Sequence, residues 1–239
     1  MNSAIKRQPL KNIVLVLILV SCMVLSLVSC ATKSSFEDET EEYDYALSYA
    51  LSSANESAIS NLYFKITQSS CFLPDSLAFL QNSASEIPGI PKLLSEWTTY
   101  MNSYNLQWFE DLRSYLNSLS NAMVFSDPIE IVAQSDDSAS TNFEHIYGEE
   151  IKIYVRQNLS KVDLSKWEEL KSQYKAWVET RKVLFDEDNT QLENVDLLEE
   201  IASYICNLYF TSLKASEVLL RTTPDPNADE TVSKVFGLN

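Results

Sequence analysis

The sequence predicts an all-α fold: a single multi-helix domain of amphipathic helices behind a signal peptide and an acidic tether. Three observations carry that reading. Glycine is scarce, 3 in 239 residues, against a usual share of ~7 %. Apolar residues recur along most of the chain with a period near 3.6, the repeat of a helix buried on one face. Ser165-x-x-Glu168 and Thr190-x-x-Glu193 have the spacing of capping boxes, in which hydroxyl and carboxylate satisfy the first free amides of a helix. The length allows one or two domains. With no internal repeat and no low-complexity tract, one is the economical answer.

Residues 1–29 read as a lipoprotein signal peptide. Lys6, Arg7 and Lys11 make a basic start without acids, and Ile13 to Val28 form a nearly unbroken apolar run. That order is the signature of an export signal. The run is 16 residues long, short of the ~20 that span a bilayer. It ends in Leu27-Val28-Ser29-Cys30, which resembles the bacterial lipobox: a small residue fits the peptidase pocket and the thiol takes the diacylglyceryl group. Cys30 is therefore the expected lipid attachment. Leu19-Val20-Ser21-Cys22 has the same form, but cleavage there would leave a further apolar stretch on the mature chain. Residues 30–42 follow as a flexible tether. Glu37, Asp38, Glu39, Glu41 and Glu42 leave it almost nothing to bury, and their charge would hold the domain off anionic headgroups.

The helical domain is expected over 43–239. Leu47, Ala50, Leu51, Ala54, Ala58, Ile59 and Leu62 share one helical face. Pro74, Pro88 and Pro91 then break the chain into a loop with short helical turns. From Lys92 to Asn121 the stripe Trp97, Met101, Tyr104, Trp108, Leu112, Tyr115 and Leu119 marks the clearest amphipathic helix. Asp127-Pro128 looks like an N-cap followed by an N1 proline, opening a short helix through Ala133. Two short helices are expected to flank Gly148. The strand-like EEIKIYVRQNL fits a helix with Ile151, Tyr154, Val155 and Leu159 inward. The first capping box starts a helix with Trp167, Tyr174, Trp177, Val178 and Leu184. The second starts one with Val195, Leu198, Ala202, Ile205, Tyr209, Leu213, Ser216 and Leu220, stopped by Pro224.

Composition excludes several functions. Gly89, Gly148 and Gly237 stand too far apart for a glycine-rich phosphate loop. One histidine leaves no His-rich metal cluster and makes a zinc hydrolase improbable. A net charge of −16 opposes nucleic acid, which needs a basic face. No cofactor and no metal are implied.

In order along the chain, ALSYALSSANESAISNL (Ala46 to Leu62), IPGIPKLL (Ile87 to Leu94), FSDPIEIV (Phe125 to Val132), DDSASTNFE (Asp136 to Glu144), LYFTSLKASEVLLR (Leu208 to Arg221) and the terminal KVFG (Lys234 to Gly237) resemble the family catalogued as domain of unknown function 4197. Ser140 stands where Thr is usual, and Asn142 where an aromatic is usual. The resemblance implies an exported helical protein and no particular reaction. It singles out Asp136, Asp137, Phe143, Arg221, Lys234, Phe236 and Gly237 as a family motif.

Asp136 and Asp137 are adjacent acids, which can share acid–base work if burial separates their pKa values. Adjacent helical residues do not face each other, so capping of the next helix is the preferred role. His145 has only Glu144 beside it and reads as a surface residue. The Trp and Tyr stripe reads as core rather than a stacking platform. Val235 and Phe236 are expected to fold back into the domain rather than hang free. Cys71 and Cys206 remain as a possible disulfide outside the inner membrane, with a buried free thiol at Cys206 as the alternative.

The expected function is a lipid-anchored, non-enzymatic interaction or structural protein of the cell envelope, with an unidentified protein partner. The expected location is the outer membrane, facing the periplasm. A carrier for a small apolar ligand and a carboxylate-dependent enzyme are the other two readings.

Overall fold

A computed structural model describes the backbone of residues 9–68, 73–83, 87–185, 195–223 and 227–238, with most side chains from Asp38 onward. Its helices are α1 (Pro9–Gln68), α2 (Phe79–Ser83), α3 (Ile90–Asn121), α4 (Pro128–Gln134), α5 (Ser138–Leu159), α6 (Ser165–Phe185), α7 (Leu197–Thr222) and α8 (Glu230–Val235), with a 3-10 turn at Asp75–Leu77. Among the described residues there is no strand, and no helix is long and apolar enough to cross a membrane.

The centre is built from α1, α3, α5 and α7; α6 packs on α3, while α4 and α8 lie against α1. The stripe from Leu47 to Leu62 is buried throughout. At 25 cal/mol per Å² of apolar surface, each such leucine or isoleucine contributes about 1.5–3 kcal/mol. Trp97, Met101, Trp108 and Leu112 all face the interior, and Tyr104 is half-buried, its hydroxyl donating to the Asn158 carbonyl at 2.6 Å. The aromatic stripe is core.

A polar chain crosses this core. The Tyr209 hydroxyl donates to Asn55 Oδ1 at 2.6 Å, Asn55 Nδ2 donates to Asn117 Oδ1 at 2.6 Å, and Asn117 Nδ2 reaches Glu56 at 2.9 Å. Fully partnered, it ties α7, α1 and α3 in one register without leaving an orphaned polar group.

Four local expectations are corrected. The break at Gly148 is absent, because α5 runs unbroken through it. A Cβ there would make only ordinary contacts, 3.6 Å from Glu144 and 4.0 Å from Phe210, so Gly148 is an interior helical position rather than an end. At the start of α6, Ser165 lies inside the helix; its amide donates to Asp163 Oδ1 at 2.9 Å, and the Glu168 amide expected to meet its hydroxyl donates to the Leu164 carbonyl at 2.9 Å. The Thr190 capping box lies outside the described residues. Further on, α7 starts behind Asp196, whose carboxylate accepts from the Glu199 amide at 3.1 Å. Lastly, α1 passes without a break across the expected tether boundary at Tyr43. Glu42 there pairs with Lys234 at 2.5 Å, giving the helix a partner before its apolar stripe begins.

Two glycines have positive φ. Gly89, at φ 91°, turns the chain into α3 with Gln173 of α6 close by. Gly237, at φ 67°, closes α8: its amide donates to the Lys234 carbonyl and the Leu238 amide to the Ser233 carbonyl, the pairing of a Schellman cap.

Candidate functional site

The family-motif residues point to one end of the bundle, where the α4–α5 turn, the last turns of α7, and α8 meet. The inward stripe of α7 runs Ala202, Ile205, Tyr209, Leu213 and then continues onto two charged residues, Glu217 and Arg221. Their side chains are 0 % and 2 % exposed, and Arg221 Nη2 lies 2.5 Å from Glu217 Oε1. A charge buried this deeply is tolerated only when it is paired.

For Glu217 the partners come from the start of α5. Its carboxylate accepts from the Ala139 amide at 3.1 Å and the Ser140 amide at 2.6 Å. These are first-turn amides with no partner inside their own helix, at the end where the helix dipole favours an anion. Arg221 donates through Nη1 to the Ser135 carbonyl at 2.9 Å, and the Phe236 ring covers the guanidinium at 5.0 Å. Burial pushes the Glu217 carboxyl above its usual range and the Arg221 guanidinium below its own, and each is countered by the other's charge.

The acids of the DDS motif do other work. Asp136 is exposed and contributes its field to Arg221. Asp137 precedes α5, yet its carboxylate accepts no helix amide; it takes the Ser135 hydroxyl at 2.6 Å instead. The expected capping by these aspartates is thus corrected, because a glutamate from α7 occupies the α5 terminus. The neighbouring α4 is capped as expected, Asp127 accepting from the Glu130 amide at 3.0 Å.

The other motif residues have separate places. Phe143 is fully buried, its ring 5.2 Å from that of Tyr147 and 6.4 Å from that of Phe210, and belongs to the core. Lys234 is exposed and pinned to Glu42. Gly237 shapes the end of α8. Asp136, Asp137, Arg221 and Phe236 therefore come together, while Phe143 and Gly237 support them from elsewhere.

Glu217 was not among the residues expected to matter. The available signal was an i, i+4 acid–base pair lying on an apolar stripe. Ser216 and Leu220, expected inward, are only half-buried, because the stripe turns by one residue to bring Glu217 and Arg221 inside.

His145 is exposed beside a groove between α5 and α7 that also contains Glu149 and Cys206. Cys206 is a free, buried thiol, its pKa pushed up to about 12 by burial, which suppresses the reactive thiolate. Cys71 lies outside the described residues, as does the side chain of Cys30. Among the described residues no group of three or more His, Cys, Asp or Glu side chains is placed to hold a metal ion.

Residues 39–237 match the model of a family described as protein of unknown function (DUF4197), and the chain belongs to that family. Neither a curated protein nor a solved structure matches it.

Proposed function

Starting from that membership, we propose that the protein is a membrane-anchored bacterial lipoprotein whose helical domain serves as a non-enzymatic interaction or structural module of the cell envelope. The outer membrane, facing the periplasm, is the proposed location, and a protein is the proposed partner. The observation that supports the module reading most directly is the Glu217–Arg221 cluster. Glu217 and the motif residue Arg221 form a buried ion pair that, with the first amides of α5, the Ser135 carbonyl and the Phe236 ring, staples the α4–α5 turn, α7 and the end of α8 together. A catalytic pair would need a face open to substrate. The anchor rests on the basic start, the apolar run and Ser29-Cys30.

The anchor is tested by labelling growing cells with radioactive palmitate. Label should enter the wild-type protein and be absent from Cys30→Ala. Equal labelling of the two would overturn the anchor at Cys30, and loss of label only in Cys22→Ala would move it to the earlier motif.

A further inference from the structure

Along α1 lies a surface of opposite character. A groove of about 500 Å³ runs between α1 and the turn from α3 to α4. Val124 stands on its rim, 80 % exposed, and the Tyr45 ring is 48 % exposed; Phe125, 5 % exposed, and Pro128 are packed into the protein behind them. An isolated exposed valine is ordinary, but an exposed valine and tyrosine side by side over a concave surface form a patch.

The charges lining the groove are Glu41 and Asp44, both acidic. Neither carboxylate has an ion pair or a side-chain hydrogen bond among the described residues. Their neighbours differ: Glu42 is paired with Lys234, and Asp229 takes the Tyr45 hydroxyl. The groove follows α1 from Thr40 to Ser48, about 12 Å at 1.5 Å per residue, or roughly two helical turns.

We propose that this groove docks a basic amphipathic segment of a partner protein, an α-helix whose apolar residues cover Val124 and Tyr45 while Lys or Arg side chains reach Glu41 and Asp44. The recognition is helix-in-groove, with apolar anchors spaced three and four residues apart, and the opposite charges set orientation and speed association. A bilayer does not fit, because anionic headgroups repel the two carboxylates. A second copy of the chain does not fit either, since it would bring its own Glu41 and Asp44 against them. The proposal deepens the interaction reading above and rests on it, whereas palmitate labelling tests only the anchor.

The test uses the full-length protein in neutral-detergent micelles with two fluorescent probes, a short helical peptide of Leu and Lys and its counterpart of Leu and Glu, followed by anisotropy. The Lys peptide should bind the wild type. It should bind about tenfold or more weakly both to the Glu41→Lys/Asp44→Lys variant and to Val124→Asp. Val183→Asp, on the exposed face of α6, should bind like the wild type. The Glu peptide should prefer the charge-reversed variant. Binding should weaken as salt is raised, because the pairs are solvent-exposed. Failure of the Lys peptide to bind, equal binding to wild type and charge-reversed protein, or an equal loss in Val183→Asp would overturn the proposal. So would self-association of the wild type that Val124→Asp abolishes, which would give the groove to a second copy.

Discussion

Two charged regions of the molecule handle charge in opposite ways. At the α7 end, Glu217 and Arg221 are withdrawn from water, and the Glu217 carboxylate is taken up by a helix terminus and a guanidinium. In the groove, Glu41 and Asp44 stand unpaired among the described residues, beside an exposed valine. Buried and paired charges are architecture: removing one partner strands the other in a low-dielectric interior. Unpaired charges at the surface do little for the fold and remain free to meet another molecule. The family motif leads to the first region. Nothing in the motif leads to the second.

The largest expected effect comes from breaking the staple. Arg221→Met should cost about 3–5 kcal/mol, because Glu217 stays buried with only its two amide donors. Glu217→Leu/Arg221→Met should cost clearly less than the two single changes together, since neither charge is then stranded. Urea unfolding midpoints measure both, and an unchanged midpoint in Arg221→Met would erase the contrast between the two regions.

An intermediate case is the pair that fastens α6 to α3, Lys166 Nζ to Glu96 Oε2 at 2.6 Å, at the surface. The Lys166 hydrogen bond and charge hold Glu96 below the usual carboxylate range, and Glu96 holds Lys166 above the usual lysine range. The stabilisation is therefore present at neutral pH. It is lost as pH falls through the lowered Glu96 value, and again as pH rises through the raised Lys166 value. Glu96→Gln should be less stable than wild type at pH 7, and the gap should close as pH falls through the lowered Glu96 value; a gap that persists in acid would show that the pair carries no charge-dependent stability.

The smallest effect belongs to the groove. Glu41→Ala and Asp44→Ala should change stability by no more than about 0.5 kcal/mol, as surface substitutions without partners do. A larger loss, read from the same urea midpoints, would mean that these carboxylates support the fold and are not held in reserve.

Much of this architecture was legible one segment at a time. The buried face of α1, the Trp97–Leu112 stripe of α3, the Asp127-Pro128 start of α4 and the inward Ile151, Val155 and Leu159 of α5 all follow from periodicity and cap chemistry. The site was only half legible. Arg221 and Phe236 were singled out by the resemblance, but Glu217 was not, since an acid and a base four apart on a helix usually mark a solvated face. The Asp136–Asp137 pair looked like a cap for the same local reason. The structure gives that role to a glutamate 78 residues away from Ala139.

The sequence by itself determined that the chain is helical and where most helices begin, because helix hydrogen bonds close within four residues and each helix carries its own apolar period. Only the tertiary structure decided who completes those helices. Whether the first amides of α5 are met by Asp137 or by Glu217, and whether an acid is paired or left open to solvent, depend on neighbours far along the chain. Burial sets the energy of a charge, and burial is a property of the packed molecule.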